Sequence, residues 1–263
     1  MSRLKLVLAA LAAVLLFPLA AFAQAVPDLG GKKIVVVTEN AYFPLQFVDP
    51  KTGKPVGWEY DAMEALSKKL NFTVEYQNTS WDAMIQAVSD KQYDLGMTGI
   101  TIKDDRKEKV DFSDPYMLSE IFMLVRGDES RFTDAKGFAA DEKLLVGAQA
   151  GTSPFYVAVY NVLDGNEQNP RIKLMDTFAS TVAALQAGDV DLVLTDSAAG
   201  KALSDNSGGK LKLIGAPLQA EEFGFIFPKG SDLVAPINAG IAALKADGTF
   251  DKITQKWFVD YKP

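Results

Sequence analysis

Arg106 and the residues just before it have the types and spacing of an anion-binding site. Residues 98–101, Thr-Gly-Ile-Thr, end an apolar segment, and a short charged helix is predicted to begin at Lys103. Backbone N–H groups at such a strand-to-helix junction lack partners and attract carboxylates. Arg106 can fold back onto the same carboxylate with two parallel N–H bonds, and Gly99 lets a ligand approach the main chain. Composition alone favours a simpler interpretation, in which Arg106 is one more solvated charge among the nine in residues 98–116.

A second polar pair, Thr195 and Asp196, occupies the matching place in a later part of the chain. The sequences YDLGMTG (93–99) and VDLVLTDS (190–197) are alike, and each follows a predicted helix. Ligands bind beyond the carboxyl ends of strands in open parallel sheets, so Thr98 and Thr195 would look into one cleft if two lobes faced each other. Coincidence between two amphipathic repeats is an equal alternative. Asp196 could also simply cap the helix that follows it.

Alternating apolar strands and amphipathic helices predict an α/β fold with two lobes. The pattern runs through the first half of the chain and restarts near residue 143. The predicted strands are 33–38, 72–76, one ending in 93–99, 143–148, 171–175 and 191–195, and predicted helices begin near 61, 81, 153 and 178. Extended segments at 119–127 and 220–230 are predicted to cross between the lobes, which returns the C-terminal helix to the first lobe.

The N-terminal segment 1–23 is predicted to be a cleaved signal peptide. Arg3 and Lys5 precede an apolar run and an A-x-A cleavage site that ends at Ala23. A membrane anchor is the alternative, although the run over 6–22 falls short of the roughly 20 residues that span a bilayer. Cleavage would leave 25 basic residues (27 − 2) and 34 acidic ones, a net charge of −9 (25 − 34). Such a surface disfavours nucleic acid and anionic membranes as partners.

The absence of two residue types removes several classes of function. The sequence contains no His and no Cys. It therefore cannot build a Ser-His-Asp or Cys-His nucleophile system, a zinc site of the usual ligands or a disulfide framework. No lipobox cysteine is present to carry an acyl anchor, and no glycine-rich phosphate loop is present to hold a nucleotide. We expect an exported, soluble periplasmic protein that holds neither metal nor cofactor.

Seven short motifs in order along the chain closely resemble one protein family. They are FPLQF (43–47), GWEYD (57–61), TSWDAMIQAV (79–88), YDLGMTGITIKDDRKEKVDFSDPY (93–116), GAQAGTS (147–153), DLVLTDS (191–197) and FGFIFPKGSDL (223–233). The family is the bacterial extracellular solute-binding proteins, family 3, which includes the glutamine-, histidine- and lysine/arginine/ornithine-binding periplasmic proteins. The resemblance covers essentially all of the chain after the signal segment.

The resemblance implies an α/β, two-lobed periplasmic binding protein fold of type II, with two parallel-rich sheets joined by two hinge strands. The first lobe would comprise 33–119 and 226–263, the second lobe 127–218, and the hinge strands 120–126 and 219–225. A monomer of this kind closes around one free L-amino acid and delivers it to the membrane permease of an ABC importer, without being an enzyme.

The resemblance also implies roles for individual residues. Arg106 would clamp the ligand α-carboxylate with help from the N–H of Thr101. Thr98 and Gly99 would accept hydrogen bonds from the α-ammonium group, and Asp196 would supply its counter-charge. The remaining matched positions are an aromatic pair against the aliphatic stem, Tyr42 and Trp81, and four contacts to the carboxylate or side chain, Glu39, Gln149, Ser153 and Thr195. From the residues alone, Trp81 could be ordinary core and Tyr42 a turn aromatic.

The matched positions also bear on which ligand is bound. Acidic ligands are disfavoured because Arg106 is the one cation among the matched positions. Gln149, Ser153 and Thr195 suit a polar neutral amino acid such as glutamine, which ranks first. Basic amino acids rank second, since Glu39 could hold a distal cation. The alternative is a periplasmic dehydratase-like enzyme on the same scaffold, for which Glu39 would be the spare carboxylate.

Overall fold

The computed structural model describes residues 26–263; the predicted signal peptide lies outside them. The strands are β1 (Lys32–Thr38), β2 (Ala41–Tyr42), β3 (Gln46–Val48), β4 (Pro55–Val56), β5 (Phe72–Asn78), β6 (Leu95–Gly96), β7 (Val110–Phe112), β8 (Met117–Arg126), β9 (Val146–Ala148), β10 (Ile172–Leu174), β11 (Leu192–Asp196), β12 (Leu211–Phe223) and β13 (Ile226–Pro228). The helices are α1 (Trp58–Leu70), α2 (Trp81–Ser89), α3 (Asp104–Lys107), α4 (Ala135–Ala140), α5 (Ser153–Val157), α6 (Phe178–Ala187), α7 (Ser197–Asn206), α8 (Val234–Ala246) and α9 (Thr249–Thr254). Helices α5 and α9 continue as π-helical turns over Ala158–Val162 and Gln255–Asp260.

Two five-stranded sheets with the same mixed layout form the framework. The first has the order β5-β1-β6-β13-β7 and the second the order β10-β9-β11-β8-β12. In each sheet, three consecutive strands are parallel, the fourth runs antiparallel to both of its neighbours, and the fifth runs in the direction of the first three. The sequence therefore predicted the parallel part of each sheet correctly and missed the antiparallel fourth strand. A small third sheet, β2-β3-β4, stands beside the first.

Apolar patterning explains why the parallel strands are central. Strand β1 reads KKIVVVT, and Ile34, Val36 and Val37 are fully buried because helices cover both faces. Helix α1 buries Met63 and Leu66 against α8 and α9, which belong to the same apolar core. The second sheet has a separate core built around β8, β9 and α5. Two independent cores explain how two similar α/β units form in one chain.

The chain passes between the two sheets twice. It leaves the first sheet after β7 and enters the second as β8, and it returns from β12 into β13. Strands β8 and β12 lie side by side in antiparallel register, with Glu120 opposite Ala220 and Ser119 opposite Glu221. The predicted hinge residues 120–126 and 219–225 lie at this paired crossing. The positions at which two lobes would rotate remain a prediction.

Helix ends at the inner edges follow ordinary capping chemistry. The Thr152 side chain accepts a hydrogen bond from the N–H of Phe155 at the start of α5, and Asp196 accepts from two N–H groups at the start of α7. These caps fix where α5 and α7 begin. Within residues 26–263, no helix combines the length and the apolar composition needed to span a bilayer.

Candidate ligand-binding site

A cavity lies between the two sheets, at the carboxyl ends of β6 and β9. Both sheets contribute to its wall, as expected for a ligand site at strand ends. Nine of the predicted site residues line it: Glu39, Tyr42, Trp81, Thr98, Gly99, Thr101, Arg106, Gln149 and Ser153.

Arg106 is a buried cation, not a solvated one. It is 5% exposed, and its guanidinium lies over the ring of Trp81, 4.9 Å from the centroid. Nη1 donates to the carbonyl oxygen of Thr101 (2.9 Å) and Nη2 to that of Gly151 (3.1 Å). Burial lowers the pKa of Arg106 to about 10, which leaves it charged at neutral pH. In residues 26–263, no carboxylate lies at ion-pair distance from it.

The backbone before Arg106 is held by a glycine that no other residue could replace easily. Gly99 has a φ of +61°, and an added Cβ would lie 2.8 Å from Leu45 Cδ1 and 3.0 Å from Tyr42 Cε1. Its N–H donates to Glu59 Oε1 (2.9 Å), a buried carboxyl whose pKa burial raises to about 7. The neighbouring Thr98 hydroxyl accepts from Gln46 Nε2 (2.6 Å). The floor of the cavity is thus a tightly packed turn.

Glu39 and Gln149 join the two sides of the cavity. Gln149 Nε2 donates to Glu39 Oε1 and to the carbonyl oxygen of Asp176, both at 2.8 Å. Burial raises the pKa of Glu39, partly offset by this hydrogen bond from the Gln149 amide. Trp81 makes a further link, because its Nε1 donates to the carbonyl oxygen of Ala150 (3.2 Å). Ser153, 2% exposed, keeps a hydroxyl without a partner among the described residues.

The aromatic side chains predicted for the site do line it. Tyr42 packs on Phe178 with ring centroids 4.5 Å apart. Tyr42 lies in β2, beside the first sheet, and Phe178 begins α6, in the unit of the second sheet. Trp81 is 9% exposed and also packs with Val37 and Met84, so it belongs to both the wall and the core. The two alternatives weighed for Trp81 from the sequence, core and site, are therefore compatible.

Thr195 and Asp196 differ from the other predicted residues because they are not among the residues that line the cavity. Both are fully buried in β11. Asp196 Oδ1 accepts from the N–H groups of Ala198 and Ala199 (2.9 Å each), and Oδ2 accepts from the Tyr42 hydroxyl (2.6 Å). Burial raises the pKa of Asp196, and these hydrogen bonds oppose the rise. The helix-capping interpretation of Asp196 is confirmed, and its contact with a ligand remains a prediction.

Sequence reasoning missed Glu221 and Phe178, which also line the cavity. Glu221 lies in β12 within a segment treated only as a crossing strand. Alternation was the available signal: Glu221 and Phe223 are buried, whereas Glu222 between them is exposed. Burial raises the pKa of Glu221 to about 8. For metals, residues 26–263 contain no group of three or more acidic, His or Cys side chains that could hold an ion.

Comparison with known proteins shows the family to which the sequence is similar. The sequence model of "Bacterial extracellular solute-binding proteins, family 3" matches residues 34–260. A Neisseria gonorrhoeae protein named "Probable histidine-binding protein" is 31% identical, over 89% of this chain and 86% of its own length. The L-cystine-binding protein TcyA of Bacillus subtilis is 30% identical, over 86% of this chain and 81% of its own.

Solved structures show the same fold. The arginine-, lysine-, histidine-binding protein ArtJ of Geobacillus stearothermophilus matches with a TM-score of 0.77 and 32% identity, over 88% of this chain and 97% of that one. The ancestral amino-acid-binding protein AncCDT-1, a precursor of cyclohexadienyl dehydratase, matches with a TM-score of 0.76 and 30% identity, over 86% and 95% of the two chains. The predicted type II periplasmic binding protein fold is confirmed.

Proposed function

The chain belongs to the bacterial extracellular solute-binding proteins, family 3, and we propose that it binds one free L-amino acid for an ABC importer. The relatives named above bind amino acids according to their names. In this proposal the protein itself catalyses no reaction. It captures the amino acid between its two α/β units and presents it to a membrane permease.

The observation that carries the proposal is the unpaired charge of Arg106. A buried cation is costly unless an anion and hydrogen bonds compensate it. Two of its donors are held by backbone carbonyls, and a guanidinium has five. Arg106 lines the cavity between the two sheets, and its other donors have no partner among the described residues. An α-carboxylate supplies the missing charge and accepts two parallel N–H bonds.

The two-sided wall supports binding coupled to closure. Thr98, Gly99, Thr101 and Arg106 belong to the first unit, whereas Gln149 and Ser153 belong to the second. A ligand in contact with both sets stabilises the closed arrangement, because an open form would offer only half of the partners. Roles at the ligand for Glu39, Tyr42, Trp81, Thr195 and Asp196 are proposed as the family resemblance implies them.

Polar neutral amino acids such as glutamine remain first among the proposed ligands, and basic amino acids second. Among the described cavity-lining residues Arg106 is the single cation, and Glu39 and Glu221 are acids. This balance disfavours aspartate and glutamate. Gln149 and Ser153 supply neutral hydrogen-bonding groups for a polar side chain, while Glu39 could accept from either an amide or a cation.

The cellular setting is proposed from the sequence and the family. We infer export to the periplasm through a cleaved signal peptide, with no lipid anchor, and action as a monomer. The net charge of −9 calculated for the chain after cleavage gives no basis for nucleic-acid binding.

A dehydratase-like enzyme is the second candidate, and one observation favours it. Glu221 places a carboxyl with a pKa raised to about 8 on the cavity wall, which suits a general acid. Incubation with prephenate, a cyclohexadienyl acid, followed by absorbance of an aromatic product, tests this candidate. Under the transport proposal no product forms, and steady turnover would establish the enzyme instead.

A thermal-shift panel of the twenty amino acids tests the main proposal. A ligand at about 1 mM with a micromolar dissociation constant adds about 4 kcal/mol to the free energy of unfolding. We expect a clear rise in melting temperature with at least one polar neutral or basic amino acid, and none with aspartate or glutamate. No rise with any of the twenty would overturn the proposal.

A further inference from the structure

Glu221 is a buried acid on the cavity wall with half of its carboxylate unused. The residue is 5% exposed and lies in β12 at the crossing between the two sheets. Oε2 accepts from the Thr101 hydroxyl at 2.9 Å. Oε1 is buried and has no hydrogen-bond partner in the part of the chain that the structure describes. A buried carboxylate oxygen without a partner is costly, so a cationic partner from outside the chain would stabilise it.

Thr101 places Glu221 beside Arg106. The Thr101 carbonyl oxygen accepts from Arg106 Nη1, while its hydroxyl donates to Glu221. Arg106 and Glu221 do not form an ion pair with each other, within residues 26–263. The cavity wall therefore carries a cation, Arg106, and an acid, Glu221, which both hydrogen-bond to Thr101. Neither has an ionic partner among the described residues. A ligand that carries a carboxylate and an ammonium group on the same carbon satisfies both.

The other acids near the cavity are already engaged or face elsewhere. Glu39 Oε1 accepts from Gln149 Nε2 and from the N–H of Trp81. Asp196 is fully buried, with Oδ1 accepting from N–H groups at the start of α7 and Oδ2 accepting from the Tyr42 hydroxyl. Glu222, the sequence neighbour of Glu221, is exposed. Among these four acids, Glu221 combines the position next to Arg106 with an unused oxygen.

We propose that Glu221 binds the α-ammonium group of the ligand directly, as a carboxylate additional to Asp196. The inference rests on the proposed function, since it takes the ligand carboxylate to be on Arg106. Because the α-ammonium is attached one atom from the carboxyl carbon, it then lies next to Thr101 and within reach of Glu221. This contact makes the free amino group a requirement for tight binding. It also ties the ligand to β12, the strand that returns the chain to the first sheet.

The test compares Glu221→Gln with Glu222→Gln, an adjacent exposed acid that removes the same charge from the same strand. Each amino acid that stabilises the wild type is paired with its analogue without the amino group: desamino-glutamine, desamino-arginine or desamino-histidine. Calorimetric titration measures both ligands on all proteins. Loss of a hydrogen bond to a charged group predicts that Glu221→Gln binds the amino acid roughly 10- to 100-fold more weakly. Its affinity for the desamino analogue should stay within about threefold of the wild type, and Glu222→Gln should match the wild type for both.

Several results would contradict the proposal. Wild-type affinity of Glu221→Gln for the amino acid would show that the ammonium is held elsewhere. An equal loss for the amino acid and its analogue would show that Glu221 only positions Thr101. A Glu221→Asp variant guards against misfolding: it should keep the preference for the amino acid over the analogue, and loss of that preference would count against the proposal. If the wild type binds no amino acid at all, the proposed function itself fails. If the wild type binds an amino acid and Glu221→Gln binds it equally well, only the role of Glu221 fails.

Discussion

Replacement of Arg106 by Ala removes the group on which ligand binding is proposed to depend. The change deletes a buried cation, its hydrogen bonds to the carbonyls of Thr101 and Gly151, and its stacking on Trp81. It leaves the backbone turn at Gly99 in place, because that turn is held by Glu59 and by packing against Leu45. The variant should therefore keep the fold and lose the ligand.

The magnitude follows from burial of the charge. Truncating one partner of a buried, hydrogen-bonded charge pair costs about 2–5 kcal/mol. At about 1.4 kcal/mol for each tenfold, the dissociation constant rises roughly 30- to 4,000-fold. Without ligand, two hydrogen bonds are lost but an uncompensated buried charge is removed too. The free energy of unfolding should change by only about 1 kcal/mol in either direction.

Calorimetric titration with the amino acid that gives the largest thermal shift measures the affinity, and thermal unfolding without ligand measures the fold. Lys107→Ala is the matched control, since it removes a cation from the same helix at an exposed position. Arg106→Lys separates charge from shape: lysine keeps the charge but cannot donate two parallel N–H bonds, so it should recover only part of the affinity. Tight binding by an Arg106→Ala protein with an unchanged melting temperature would refute the assignment of the carboxylate site.

Two further predictions concern the acids of the cavity. Glu39→Gln should weaken the binding of lysine and arginine by roughly tenfold in a calorimetric titration and leave the binding of glutamine nearly unchanged, because it removes a charge but keeps the hydrogen-bonding shape. Unchanged affinity for lysine and arginine would show that Glu39 does not determine specificity. Affinity for an amino acid should rise with pH up to about pH 8 and then level. Burial raises the pKa of Glu221 in the empty cavity to about 8, and the residue must lose its proton to pair with an ammonium group. Of the charges around this carboxyl, Asp196 raises its pKa, and Arg106 and Lys103 lower it. Titrations with ligand at several pH values should show the rise in affinity in the wild type and a flat profile in Glu221→Gln. An affinity that falls with pH in the wild type would contradict the reasoning.

The parts of the site that depend on local sequence were predictable. The turn at Gly99 and the arginine seven residues later are encoded within one short segment, so their chemistry could be inferred without knowing the fold. Residue types alone did not decide between a buried and a solvated Arg106; burial depends on Trp81 and Gly151, which come from distant segments. The family resemblance supplied that missing long-range information.

The parts that depend on strand pairing were not predictable. Segment 220–230 was predicted to be extended, but its residues do not indicate which strand it pairs with or in which direction. The antiparallel register of β12 on β8 places Glu221 inward and Glu222 outward, and a shift by one residue would reverse them. The direction of the antiparallel fourth strand in each sheet, β13 and β8, was not predictable for the same reason.

The position of Asp196 depended on side-chain packing that no motif encodes. Its sequence context suits both a helix cap and a ligand contact, and the structure shows the cap together with the Tyr42 hydroxyl on the second oxygen. A residue can thus match a family position and still have both carboxylate oxygens bonded within the protein. Glu221 was missed because its segment was interpreted only as a strand that connects the two lobes.

A crystal structure of the protein with its tightest-binding amino acid would test the central claim most directly. We expect both oxygens of the ligand α-carboxylate within about 2.7–3.2 Å of nitrogens of the Arg106 guanidinium, inside the cavity between the two sheets. A ligand whose carboxylate is bound by other groups, with Arg106 still facing only Thr101 and Gly151, would contradict the account.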